Sequence, residues 1–89
     1  MLKLTPERRL AVTDELARWR TANQAAQKVK LYSDDWFKEV SIRNSSFNLI
    51  MQMTGLSMKR ADQLCWGHSS LETYWLPDGT IRKNIVDRS

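Results

Sequence analysis

Cys65 is the only cysteine of the chain and His68 the only histidine, so they come first in a search for chemistry. No Cys/His set for zinc can be assembled from one of each. His68 follows Gly67 and reads as a loop residue rather than a catalytic base. Cys65 stands beside Trp66 near the end of an expected helix and reads as core rather than nucleophile. A lone cysteine also excludes an intrachain disulfide and fits a reducing cytosol. Neither a glycine-rich phosphate loop nor a Ser/His/Asp spacing is present, and Met51, Met53 and Met58 with Phe47 read as packing ahead of a ligand pocket. The expectation is therefore no enzyme, no catalytic residue, no cofactor and no metal. What remains is the polar face after Gly55, where Lys59 and Gln63 lie four residues apart on the outside of a helix.

The elements that would hold that face must fit into one domain, because 89 residues leave no room for a second core. Four tryptophans (Trp19, Trp36, Trp66 and Trp75) supply large area for a small core, and burial is expected for most of them. Apolar runs are too short to span a membrane, and "MLKLTPERRL" lacks the apolar stretch of a secretory signal, so the expected setting is cytoplasmic. The net charge of +4 favours an anionic partner. Residues 1–30 carry seven basic and three acidic side chains, which places the excess on the N-terminal segment and away from Lys59.

Thr5-Pro6-Glu7 is a helix start: a cap, a proline suited to the first position and an acid at the positive end. Val12, Leu16, Trp19, Ala26 and Val29 follow at helical spacing, predicting a long amphipathic helix over about 6–30. Its arginines Arg8, Arg9, Arg18 and Arg20 form either a solvated face or a phosphate-contacting one. Ser33 caps a short helix over about 34–43, with Trp36, Phe37 and Val40 inward, which "RNSS" interrupts. A helix-turn-helix-like pair over about 46–66 comes next, bent at Gly55, capped by Ser57 and stopped by Gly67. Ile50, Leu56, Ala61 and Leu64 are its expected inner face. The period then changes to two, and Pro77-Asp78-Gly79 predicts a β-hairpin over about 71–86, pairing Trp75 with Ile81, Tyr74 with Arg82 and Leu71 with Ile85. "VDRS" reads as a frayed tail. The expected fold is mostly α with a C-terminal β-hairpin, in one domain over 1–89.

"TGLSMKRADQL" resembles the turn of small phage and prophage regulators, including excisionase-like and related winged helix-turn-helix proteins, over about twenty residues. The resemblance implies a wing-like hairpin and a DNA-binding set of Ser57, Met58, Lys59, Arg60, Gln63 and Arg82. Ser57, Met58, Lys59 and Gln63 would approach base edges, with Arg60 at a phosphate. Lysine suits guanine edges and glutamine adenine edges. Four residues depart from the pattern: Met51 where close packing wants alanine or glycine, Thr54 where an apolar residue is commoner, Asp62 on the reading face and Asp78 at the wing tip.

The first functional expectation is a small sequence-specific DNA-binding regulator of double-stranded DNA, acting as a homodimer or a cooperative array. The alternative is a small helical inhibitor or adaptor that binds a protein partner through an aromatic patch, favoured by the tryptophans and by Asp62. A third reading is single-stranded nucleic acid stacked on Tyr74 near Arg82.

Overall fold

A computed structural model describes residues 1–83. Four helices follow in order: α1 (Pro6–Lys28), α2 (Asp34–Thr54), α3 (Met58–Trp66) and α4 (Leu71–Tyr74). The first begins where its sequence says it should, with the Thr5 hydroxyl accepting from the Arg8 amide at 3.2 Å. Its apolar stripe (Val12, Leu16, Trp19, Ala22, Ala26) is buried along α2. The second is capped by Ser33, whose hydroxyl accepts from the Trp36 amide.

The "RNSS" stretch does not break α2, which runs unbroken through residues 43–46. The side chains that disfavour a helix interior find places around its circumference. Asn44 and Ser45 face solvent, Ser46 is small enough to be buried, and Arg43 donates to Asn23 of α1 at 2.9 Å. Packing along α1 outweighs a propensity deficit of a few tenths of a kcal/mol per residue.

The corner at Gly55 forms as expected. Gly55 adopts φ 69° and returns its amide to the Met51 carbonyl at 2.8 Å. Ile50, Leu56, Ala61 and Leu64 are all buried around it. Thr54, unexpected at a packing position, is fully buried and fully bonded: its hydroxyl donates to the Ile50 carbonyl at 2.7 Å and accepts from the Leu56 amide at 3.1 Å. The α3 helix then starts on Ser57, whose hydroxyl accepts from the Arg60 amide.

No β-strand and no hairpin exist among the described residues, so the fold is all-α and the expected wing is absent. The chain does turn at Pro77–Gly79, and Trp75 and Ile81 do face each other, but as a single isolated antiparallel bridge. Residues 71–74 wind into one helical turn instead of a strand. Leu71, Tyr74 and Trp75 stand at i, i+3 and i+4, and all three are buried, so the same apolar residues satisfy a helical period as well as a strand one. The expected pairing of Leu71 with Ile85, the hairpin's end near 86 and the "VDRS" tail lie outside the described residues.

An N-terminal arm, residues 1–5, occupies the ground beside this turn. The Leu2 amide donates to the Thr54 carbonyl at 2.9 Å, and the Leu2 carbonyl accepts from the Trp75 indole at 2.8 Å. Two residues on, the Leu4 amide donates to the Gly79 carbonyl at 2.9 Å while its side chain is buried. The arm thus ties the α2–α3 corner to the C-terminal turn. The closed core therefore lies at this end of the α1–α2 pair.

Candidate interaction surface

Three of the six residues expected to read DNA make side-chain contacts within the molecule. Ser57 is engaged as the α3 cap, and Arg60 lies over the Tyr74 ring, 5.6 Å from its centroid. Arg82 donates from Nε to the Glu72 carbonyl at 2.7 Å. Gln63 is half-buried, and its carbonyl receives the His68 amide. Met58 and Lys59 remain exposed. Tyr74 is buried beneath Arg60 and offers no open face to a stacking base, which removes the basis of the single-strand reading.

The basic excess of α1 is likewise engaged. Arg8 donates to the Lys3 carbonyl and Arg9 pairs with Glu72 at 2.6 Å. Arg18 lies 3.7 Å from Glu15. Arg20 bonds the Leu64 and Cys65 carbonyls at 3.2 and 3.3 Å, closing the last turn of α3, where cations are favoured. Every arginine among the described residues has such an intramolecular partner. The backbone amide of Glu72, the Ser70 side chain and Arg9 together hold the Glu72 carboxyl below its ordinary range. Cys65 is buried, and burial, aided by Asp62 and opposed by Arg20, pushes its thiol up to about 11. It stays a protonated core residue at neutral pH.

A different surface stands out. Sequence reasoning turns Trp36 and Phe37 inward, yet Phe37 is 54% exposed and Trp36 is half-buried. Adjacent helical positions point about 100° apart, so both rings cannot face α1. They join Tyr32, 68% exposed, in a cluster with ring centroids 5.1 Å (Trp36–Phe37) and 5.2 Å (Tyr32–Trp36) apart. Tyr32 sits at φ 65°, a left-handed backbone that bulky residues rarely adopt. The signal available in the sequence was "LYSDDWF" itself, four large apolar residues within seven at an interhelical tip.

This tip opens onto a trough. A first depression of about 310 Å³ lies between Ala26 and Leu31 on one side and Trp36 on the other, ending at Arg43 and Trp66. Those two residues also begin a second, wider groove of about 680 Å³, walled by Trp19, Phe47, Met58 and Lys59. Trp66 packs edge-on against Trp19 at 5.1 Å and keeps 48% of its surface exposed. Asp62 and Lys59 line the groove together, so the outer face of α3 looks along an apolar trough of mixed charge.

Among the described residues no helix is long and apolar enough to cross a membrane, and no cluster of His, Cys, Asp and Glu could hold a metal ion. Comparison with protein-family models, with curated proteins and with solved structures gives no match.

Proposed function

We propose that this protein is a small, non-catalytic interaction module of the cytoplasm that docks on a protein partner through its aromatic face. The observation that carries the reading is the exposed Tyr32–Trp36–Phe37 cluster with Leu31, continuous through Trp36 and Arg43 with Trp66 and Met58. Contiguous exposed apolar patches of this kind mark association sites, and tryptophan and tyrosine dominate the energetics of such sites. The backbone at Tyr32 supports it: a strained residue costs about 1–3 kcal/mol, and here the strained residue's side chain stays mostly exposed, packed only beside the other two rings.

A second reading, a DNA-binding regulator, keeps one observation in its favour. The three-residue corner Gly55–Ser57 joins two helices over a buried quartet, with Lys59 exposed on the second. Against it stand the engaged arginines and the acid Asp62 beside Lys59.

Immobilised wild type and a Tyr32→Ser/Phe37→Ser variant, offered soluble extract of the producing cells together with purified chain, separate the readings. The docking reading expects a protein, a second copy of the chain included, retained by wild type and lost with the variant. It also expects no salt-dependent binding of labelled duplex. Retention of no protein, or duplex binding that weakens about tenfold or more in Lys59→Ala, overturns it.

A further inference from the structure

We infer that the partner of the aromatic face is a second copy of this chain, and that two tips cross to lie in each other's grooves as a two-fold dimer. The inference rests on the docking reading above and adds the occupant. Its first ground is an unfinished bundle. The α1 helix is about 34 Å long and α2 about 31 Å, whereas α3 extends only about 13 Å. The α3 helix ends at Trp66, against Trp19 and Arg43, so residues 21–28 of α1 and 34–42 of α2 project beyond it with one side uncovered. A pair of helices with an open apolar side is completed by further helices, and two such hairpins laid antiparallel make a four-helix layer.

The second ground is self-complementarity. A two-fold interface must present the same patch on both protomers, so a protrusion at one end of the patch requires a concavity at the other. This face has both: the Leu31–Phe37 tip at one end and the Phe47–Met58 groove at the other, with Arg43 and Trp66 shared between the depressions. Antiparallel crossing about that midpoint brings Leu31, Tyr32 and Phe37 of one protomer onto Met58 of the other and sets the two copies of Trp66 against each other. Those are five of the nine exposed large apolar side chains among the described residues, covered by a single operation. From Tyr32 to Phe47 the footprint is roughly 22 Å long and two helices wide, about 20 Å. With side-chain relief it approaches ~500 Å² per partner, the lower bound for a specific interface, which fits a dimer of about 10–100 μM affinity rather than an obligate one.

The third ground is charge. Asp34 lies three residues before Phe37 and shares its side of α2, while Lys59 stands at the groove's far end. The crossing brings each Asp34 towards the partner's Lys59. Lys28, Lys30, Lys38, Asp35 and Glu39 leave the tip near neutral as a whole, so apolar burial supplies the affinity and the Asp34–Lys59 approach sets the register.

Sedimentation equilibrium of the full chain tests this. Wild type is expected at twice 10.4 kDa at ~100 μM. Tyr32→Ser/Phe37→Ser should weaken association at least tenfold. Asp34→Lys and Lys59→Glu, both at exposed positions, should each be monomeric at concentrations where wild type pairs, with helix content unchanged by circular dichroism. An equimolar mixture of the two should recover a dimer, because each contact then joins opposite charges. A single 10.4 kDa species for wild type at that concentration overturns the inference, and so does a mixture that fails to recover or a dimer indifferent to the tip substitutions. Monomeric wild type that still retains a different protein through its tip overturns the second-copy assignment alone and leaves the docking reading standing.

Discussion

Gly79 and Gly67 have nearly the same backbone, φ 88° and 82°, yet alanine should be tolerated at one and not at the other. At Gly67 an added Cβ meets nothing within 4 Å, so Gly67→Ala brings only the cost of a left-handed alanine, about 1–2 kcal/mol. At Gly79 the same Cβ would come 2.1 Å from the Leu4 carbonyl oxygen and 2.9 Å from its carbon. That contact is with backbone and cannot be relieved by a rotamer change. The arm must move away, losing the Leu4–Gly79 hydrogen bond, about 1 kcal/mol, and re-exposing part of a side chain whose burial is worth about 1.5–3 kcal/mol. Gly79→Ala should therefore cost about 3–5 kcal/mol, a large part of the roughly 4–13 kcal/mol available to a chain of 89 residues. With a urea slope near 1 kcal/mol per molar, the two midpoints should differ by about 2–3 M when unfolding is followed by tryptophan fluorescence. Coincident midpoints would refute the reasoning, because they would mean that the arm does not close on Gly79 in solution.

Three further outcomes are expected. Trp75→Ala should destabilise by roughly 3–5 kcal/mol, and Trp75→Phe by about 1 kcal/mol for the lost indole bond to Leu2, both measured by urea unfolding. Thr54→Val keeps the shape but strands the buried Leu56 amide, so a loss of about 1–3 kcal/mol is expected on the same assay, and no loss would mean that the amide finds another partner. Cys65 should resist alkylation at pH 8 in the native chain and react once unfolded. Its native thiol ionises only near 11 against an ordinary 9.0, so the unfolded state sheds its proton first and stability should fall as pH climbs from 9 towards 11.

Local stop and start signals were legible because each acts over a single turn. Thr5 and Pro6, Ser33, Ser57, Gly55 and Gly67 all do what their types allow, and the inner face of the corner follows from its spacing. Features settled by distant contacts were not legible. The "RNSS" stretch stays helical because α1 lies beside it, and Asn23, an ordinary polar residue in sequence, becomes the acceptor for Arg43. The stretch from Leu71 to Trp75 carries an apolar pattern that two periods share. The N-terminal arm packs beside it, bonding the Gly79 carbonyl and the Trp75 indole, and nothing in "MLKLT" announces that role. Of the expected site, Lys59 and Met58 stay on an open face, while Arg60 and Arg82 are drawn to Tyr74 and Glu72, neighbours that only the fold supplies.

The molecule divides its residues by end. At the arm end, Thr54, the Trp75 indole and the Leu2 and Leu4 amides are all hydrogen-bonded, and Leu4, Ile50, Leu64 and Trp75 are enclosed. At the tip, Leu31, Tyr32 and Phe37 are exposed around a half-buried Trp36 on a backbone strained at Tyr32, and the three rings have only each other as aromatic contacts. A sequence under pressure for stability alone has simple remedies there, such as glycine at 32 or a polar residue at 37, and this one uses neither. Exposed rings that pack mainly on one another, on a strained turn beside an apolar trough, do not contribute to a core, and such contiguous patches are the kind that mark association sites.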